Sequence, residues 1–178
     1  MKITVFGGSH PVEGTTAYEE AYLLGSLLGK KGHTVITGGY RGTMQAVSQG
    51  ASEAGAHVIG ITCLEIQNWS GSKANAWVKE EQLEPTLISR LNALISTCDA
   101  AIALPGGSGT LTEIVLMWNL MVIQSLPPKP LILIGKEWKK VFDTFLSELG
   151  EYVSSQQHEL LHFVENIQEA VDLVENNH

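Results

Sequence analysis

The stretch that decides the fold reads Ala100-Ala101-Ile102-Ala103-Leu104-Pro105-Gly106-Gly107-Ser108-Gly109-Thr110-Leu111-Thr112-Glu113. Its apolar start is typical of a strand that is buried on both faces, and an apolar helix follows the glycines. Glycine lets the backbone approach a ligand closely, and a helix N-terminus favours an anion. The stretch therefore predicts a phosphate-binding turn, with a glycine-rich connection that binds nothing as the alternative. Its spacing differs from that of a P-loop, so it does not indicate ATP hydrolysis.

Glu113 carries the only charge between Asp99 and Lys129, in a helix that is apolar on nearly every side. Two interpretations of this residue are open. The spacing Thr110-x-x-Glu113 is that of a capping box, in which each side chain would satisfy a backbone N–H at the helix start. Alternatively, the carboxylate faces a ligand in front of the glycine turn.

Shorter apolar runs on both sides of this stretch predict further strands. These runs are residues 2–6, 33–37, 58–61 and 131–135, with a short edge strand at 162–164. Helical patterns separate most of them, which predicts βαβ units. We therefore expect one α/β domain over residues 1–178, built on a Rossmann-like, doubly wound parallel sheet with helices on both faces. Ligands bind such sheets at the carboxyl edge, where the glycine turns fall.

The first helix and the segment after the third strand carry local signals. Thr16-x-x-Glu19 predicts a capped helix start, and Gly32 predicts its left-handed stop. Residues 62–79 show no periodicity, which predicts a long loop that acts as a lid or substrate contact, or else a surface excursion. Trp69 and Trp77 in this loop suit stacking on a base, although either could simply pack the loop down.

An amphipathic helix is predicted at residues 86–97, directly before the central strand. Arg90 lies at the margin of its apolar stripe. An arginine in that position often extends its charged head to water. The alternative is that the guanidinium reaches the region before the glycine turn, where it would bind a phosphate.

The composition limits the kinds of partner. A formal net charge of −8 argues against a duplex nucleic-acid surface, which needs clustered Lys and Arg. Cys63 and Cys98 form no C-x-x-C pattern, so we expect a reducing cytoplasm without a disulfide or a zinc site. We also expect no secretion signal before the first strand and no membrane partner, because the apolar helix after Gly109 is too short to span a bilayer.

Residues 105–113 resemble the P-G-G-x-G-T-x-x-E signature of the LONELY GUY (LOG) family, the cytokinin riboside 5′-monophosphate phosphoribohydrolases. The resemblance extends over most of the chain. Phe6-Gly7-Gly8-Ser9 is similar to the family's first glycine turn, and Thr37-Gly38-Gly39-Tyr40-Arg41-Gly42-Thr43-Met44 is similar to its second. The catalytic Arg of the family stands fifteen residues before the signature Pro, which is the position of Arg90 relative to Pro105.

The resemblance implies hydrolysis of the N-glycosidic bond of a nucleoside 5′-monophosphate, such as a cytokinin riboside monophosphate, to free base and ribose 5-phosphate. It implies that Arg90 and Glu113 are the catalytic residues. The residues implied to bind the substrate and its phosphate are Gly8, Ser9, Gly38, Gly39, Met44, Gly106, Gly107, Ser108, Gly109 and Thr110. Neither a metal nor a cofactor is implied, since His and carboxylate pairs do not occur at ligand spacing.

The chain departs from the family pattern at some positions. Leu91 stands where the family usually has Lys, Thr43 where Leu is common, and Gln45 where glycine is expected. A related molybdenum-cofactor carrier binds without catalysis, so a nucleotide or molybdenum-cofactor carrier is the alternative function. Pyridoxal-dependent decarboxylation is not favoured, because the glycine turns contain no Lys for a Schiff base.

The helix after Gly109 also predicts an assembly. It is apolar on all sides, and one sheet face hides only half of it. We expect the rest to contact a second subunit in a homodimer or a higher homo-oligomer. The residues expected at that contact are Leu116, Trp118, Leu120 and Ile123.

Overall fold

The structure, a computed structural model, describes residues 1–176. One seven-stranded sheet contains all the strands of this range, in the order β4-β3-β2-β1-β5-β6-β7, and every neighbouring pair is parallel. The strands are β1 Lys2–Phe6, β2 Thr34–Thr37, β3 Val58–Cys63, β4 Glu80–Glu84, β5 Ala100–Ala103, β6 Leu131–Ile134 and β7 Leu161–Val164. The helices are α1 Thr16–Lys30, α2 Thr43–Glu53, α3 Leu64–Ser70, α4 Leu87–Ser96, α5 Ser108–Val122, α6 Lys136–Leu149, α7 Ser155–His158 and α8 Ile167–Asn176.

The winding direction reverses beside β1. From β1 the chain adds β2, β3 and β4 on one side, and from β5 it adds β6 and β7 on the other. Since β1 pairs with both β2 and β5, the gap between the turns that follow β1 and β5 is the topological switch point. Open α/β sheets bind their ligands in the crevice at such a point.

Helices cover both faces of the sheet, as the sequence predicted. Alternate residues of β1 face opposite sides, with Ile3 and Val5 in the apolar cluster under α1, α2 and α8. Phe6 belongs to the other cluster, under α4, α5 and α6. The small residues of β5 are fully buried between the two layers, which explains why this strand is an unbroken apolar run.

Two details of the prediction were wrong. Helix α1 is capped by Thr15, whose hydroxyl accepts from Tyr18 N, and not by Thr16. Residues 62–79 are not one irregular loop, since β3 continues to Cys63 and helix α3 follows it. The sequence analysis also missed β4, which begins directly after this segment. An edge strand with little burial shows no apolar pattern.

The last helix ends close to the limit of the described range. Glu175 lies in α8 and forms an ion pair with Lys31. No helix within residues 1–176 is long and apolar enough to cross a membrane.

Candidate functional site

The glycine turns after β1, β2 and β5 meet at the switch point. A Cβ atom on Gly8 would lie 3.6 Å from the Cα atom of Gly106, so the first and third turns lie close together. Thr43 joins the second turn to the first, because its backbone N–H and its hydroxyl both donate to Gly8 O, at 2.9 and 3.1 Å. Gly42 has a φ of +77°, and a Cβ there would collide with Gly8 O. Only glycine allows this approach of the backbones.

The β5–α5 turn (residues 104–107) leads directly into a helix start that can receive an anion. Helix α5 has Gly107 as its N-cap, and no side chain of the described residues caps it. Leu111 N donates to Gly107 O at 3.0 Å, so the preceding N–H groups have no acceptor within the helix. Apart from chain neighbours and the backbone of the helix itself, no atom of residues 1–176 lies within 4 Å of a Cβ built on Gly107 or Gly109. These amides and the helix dipole therefore favour a negatively charged ligand in the open space.

Glu113 lies in the second turn of α5 and is only 8% exposed. Since the N-cap is Gly107 and Thr110 lies inside the helix, the capping-box interpretation of Glu113 was wrong. Burial raises the pKa of Glu113 from its ordinary 4.5 to about 7, and the Arg90 guanidinium opposes part of that rise. The carboxyl group is therefore only partly ionised near neutral pH.

Arg90 is also buried, with 6% of its surface exposed, so its head does not extend to water. Nε donates to Ile61 O at 2.8 Å, and Nη2 donates to Gly38 O at 3.1 Å. Nη1 lies 3.9 Å from Glu113 Oε1, which is an ion-pair distance but too long for a hydrogen bond. The guanidinium is thus held by two backbone carbonyls and presents its remaining nitrogen to the carboxylate.

The β2–α2 turn (residues 38–42) shapes the space around Arg90. A Cβ on Gly38 would collide with Arg90 Nη2 and come within 2.5 Å of Met44 Sδ, so a larger residue here would displace both side chains. Asn75 holds this turn, because its side-chain Nδ2 donates to the carbonyls of Gly39 and Tyr40 at 3.0 and 2.9 Å. The sequence interpretation did not single out Asn75, and only its place in a segment expected to contact the substrate pointed towards it.

A cavity of about 300 Å³ adjoins the first two glycine turns. We call it the rim cavity, and its lining residues are Ser9, His10, Pro11, Val12, Glu13, Tyr18, Arg41, Gly42 and Gln45. Of the predicted binding residues only Ser9 lines it. Trp69, which was offered as a stacking residue, is 87% exposed on α3.

Other predicted features have clear positions. Leu91, which replaces the usual Lys, is buried in α4 with 5% of its surface exposed. Trp118 was expected at a subunit contact, but it is 8% exposed and packs edge-to-face on Phe142 of the same chain. Ile123 is 62% exposed. Within residues 1–176 no three His, Cys, Asp or Glu side chains are grouped so as to hold a metal ion.

Known proteins are similar to this chain in sequence over most of its length. An uncharacterized protein of Archaeoglobus fulgidus is 30% identical over 87% of this chain and 96% of its own length. The cytokinin riboside 5′-monophosphate phosphoribohydrolase LOG of Oryza sativa is 31% identical over 86% of this chain. That match covers 62% of the rice protein, and the chain spans about 60% of the similarly named Arabidopsis thaliana protein LOG2.

Solved structures share the fold over nearly the whole chain. The protein TM1055 has a TM-score of 0.77 at 28% identity and covers 98% of both chains. The molybdenum cofactor binding protein of Rippkaea orientalis has the same TM-score at 24% identity, over 98% of this chain and 95% of its own, which shows the fold alone. The resemblance to the LOG proteins is confirmed, and the SLOG cluster4 family model matches residues 1–170. The chain belongs to the SLOG cluster4 family.

Proposed function

We propose that this protein hydrolyses the N-glycosidic bond of a nucleoside 5′-monophosphate and releases the free base and ribose 5-phosphate. One observation carries the proposal. A buried carboxylate, Glu113, faces a buried guanidinium, Arg90, one helical turn beyond a set of open backbone amides at the switch point. The phosphoribohydrolase names of the LOG relatives support the same reaction class, and a cytokinin riboside monophosphate is one candidate substrate.

The 5′-phosphate would bind at the start of α5. The N–H groups of residues 108–110 and the positive end of the helix dipole would stabilise its charge. Ser9, in the neighbouring turn, would add a hydroxyl donor from the exposed side. The Thr110 hydroxyl lies beside Gly106 and is buried, so its first role is to shape the turn.

Glu113 would act on the sugar. One helical turn advances roughly 5 Å along the axis, which is the offset between a 5′-phosphate and a group that addresses the ribose. When the bond to the base breaks, the base keeps the electron pair and positive charge develops at C1′. A carboxylate in a buried site stabilises that charge strongly, because little water screens it. The same oxygen would orient the water whose hydroxyl joins C1′ and whose proton goes to the departing base.

Arg90 would increase the ionised fraction of the Glu113 carboxyl group. Its fixed charge lowers the pKa of Glu113 against the effect of burial. Since Nε and Nη2 are already bonded to backbone carbonyls, the guanidinium cannot swing away from the pair. It would also offset the negative charge that the phosphate adds to the site.

A carrier that binds without catalysis is the second candidate. The buried Leu91 favours it, because LOG proteins usually have a Lys here beside the catalytic Arg and this chain keeps only Arg90. Two proteins of the same fold are named as a molybdenum cofactor binding protein and a molybdenum cofactor carrier protein. This reading assigns the same turns to a phosphorylated ligand but gives Glu113 no chemical role.

A nucleotide panel separates the two candidates. The chain is incubated with nucleoside monophosphates, and free base is followed by chromatography for wild type, Glu113→Gln and Glu148→Gln. Glu148 is an exposed carboxylate on α6 and is the matched control. Hydrolysis predicts base release by wild type and Glu148→Gln, with loss in Glu113→Gln. If wild type releases no base while Glu113→Gln binds the same nucleotides equally well, the carrier function replaces the hydrolase.

We also infer a homodimer. Exposed apolar side chains lie on two helices, with Leu87 and Ile88 on α4 and Leu111 and Val115 on α5, and Ile123 is exposed directly after α5. A subunit contact would cover these side chains, and exposed apolar surface is typical of such contacts. Sedimentation equilibrium at micromolar concentration tests the inference, and a monomer there would refute it.

A further inference from the structure

The rim cavity lies on the opposite side of the sheet from the ion pair. Tyr18, in its wall, belongs to the apolar cluster under α1 and α2. Glu113 and Arg90 are carried by α5 and α4, whose apolar residues form the cluster on the other face. A ligand held at the β5–α5 turn would therefore have the ion pair on one side and the rim cavity on the other.

The path from the turn to the cavity is short. Gly8 lies close to Gly106 of the β5–α5 turn, and the next residue, Ser9, lines the rim cavity. Gly42 lines it as well and packs on the backbone of Gly8 and Ser9. Hydrolysis requires C1′ and its base to lie on the ion-pair side. The cavity is then placed to take a group that is attached at the opposite end of the nucleotide, on its 5′-phosphate.

The cavity wall suits a polar organic group better than a bare phosphate. Arg41 is exposed and forms no ion pair within residues 1–176, so it is available for a second phosphoryl group. The Glu13 carboxylate would repel a phosphate but accepts hydrogen bonds from hydroxyls. Pro11 and Val12 add apolar wall, and a volume of about 300 Å³ is that of a small-molecule site.

From this arrangement we propose that the substrate class is a nucleoside 5′-diphosphate that carries a polyol, such as ribose, on its distal phosphate. The inner phosphate binds the amides at the start of α5, the distal phosphate pairs with Arg41, and the polyol hydroxyls bind Glu13. The proposal rests on the phosphate position of the proposed function and enlarges the substrate beyond a monophosphate.

The test is a set of calorimetric binding measurements in a Glu113→Gln background, which prevents turnover. AMP, ADP and ADP-ribose are the probes. ADP-ribose is expected to bind at least about tenfold more tightly than AMP, with ADP between them. Adding Glu13→Gln or Arg41→Gln should lower the affinity for ADP-ribose about tenfold, because a charged hydrogen bond or ion pair is lost. The affinity for AMP should change by less than about twofold. The matched control is Glu20→Gln, which replaces an exposed carboxylate on α1 and should change the affinity for neither ligand.

The outcomes separate this inference from the hydrolase proposal. If ADP-ribose binds no more tightly than AMP, or if the variants lower the affinity for both ligands alike, the rim cavity does not hold the distal group. That result would leave the proposed hydrolysis of AMP standing. Base release by wild type from AMP and ADP-ribose is measured in parallel. If no base is released but ADP-ribose still binds more tightly than AMP, the hydrolase proposal is refuted and the assignment of the rim cavity is supported. Absence of binding by all three probes overturns both.

Discussion

Replacing Glu113 by Gln should make the protein more stable at neutral and alkaline pH. In the folded chain, burial raises the pKa of this carboxyl from 4.5 to about 7. The folded state therefore binds more protons than the unfolded state between these values, and the free energy of unfolding falls as pH rises through them. At 1.36 kcal/mol per pKa unit, the loss approaches about 3 kcal/mol and is complete above pH 7. A neutral glutamine of similar shape avoids this loss.

The assay is urea unfolding of wild type and Glu113→Gln at several pH values from 5 to 9. Taking the difference between the two proteins cancels the other titrating groups. That difference should be small near pH 5, where the carboxyl is protonated, and should grow to about 3 kcal/mol in favour of Glu113→Gln at pH 8 and above. The control, Glu148→Gln, removes an exposed carboxylate from α6 and should change the free energy of unfolding by less than about 0.5 kcal/mol. A difference for Glu113→Gln that does not change with pH would show that Glu113 is not a buried, destabilised acid, and the reasoning would be refuted.

The remaining predictions concern the reaction and the assembly. The kcat/KM for base release should rise with pH through an apparent pKa near 7, since the ionised form of Glu113 stabilises the transition state; a flat profile from pH 5 to 9 would contradict this. Arg90→Lys should lower kcat at least about tenfold and lower the free energy of unfolding in urea by about 2 kcal/mol. An ammonium group cannot reach both carbonyls and the carboxylate, so a variant as stable as wild type would contradict the two guanidinium–carbonyl hydrogen bonds. Gly38→Ala should lower kcat as Arg90→Lys does, because the new Cβ collides with Arg90 Nη2, and unchanged kinetics would contradict this placement. Ile88→Glu should give a monomer in sedimentation equilibrium without loss of helix by circular dichroism, and an unchanged assembly state would contradict the proposed contact.

The sequence predicted the sheet because its main strands are buried and therefore apolar. Residues 100–103 show this most clearly, since every side chain of β5 faces a helix layer. Strand β4 was missed for the opposite reason. It lies at the sheet edge with exposed glutamates, so no local pattern distinguishes it from a loop.

The sequence drew attention to Arg90 and Glu113 but could not give their contacts. The position of Arg90 on a stripe margin is compatible with either direction of a long side chain. Its direction is decided by the carbonyls of Ile61 and Gly38, which lie 29 and 52 residues away in sequence. The capping interpretation of Glu113 failed because α5 starts at Ser108, three residues earlier than a Thr110 cap requires. Local spacing could not fix that start.

The most direct test of the central claim is a crystal structure of Glu113→Gln with a nucleoside 5′-monophosphate bound. The account predicts phosphate oxygens at about 3 Å from the N–H groups of residues 108–110, and C1′ in contact with the side chain at position 113. A nucleotide whose phosphate lies elsewhere, or whose C1′ is remote from residue 113 and Arg90, would contradict it.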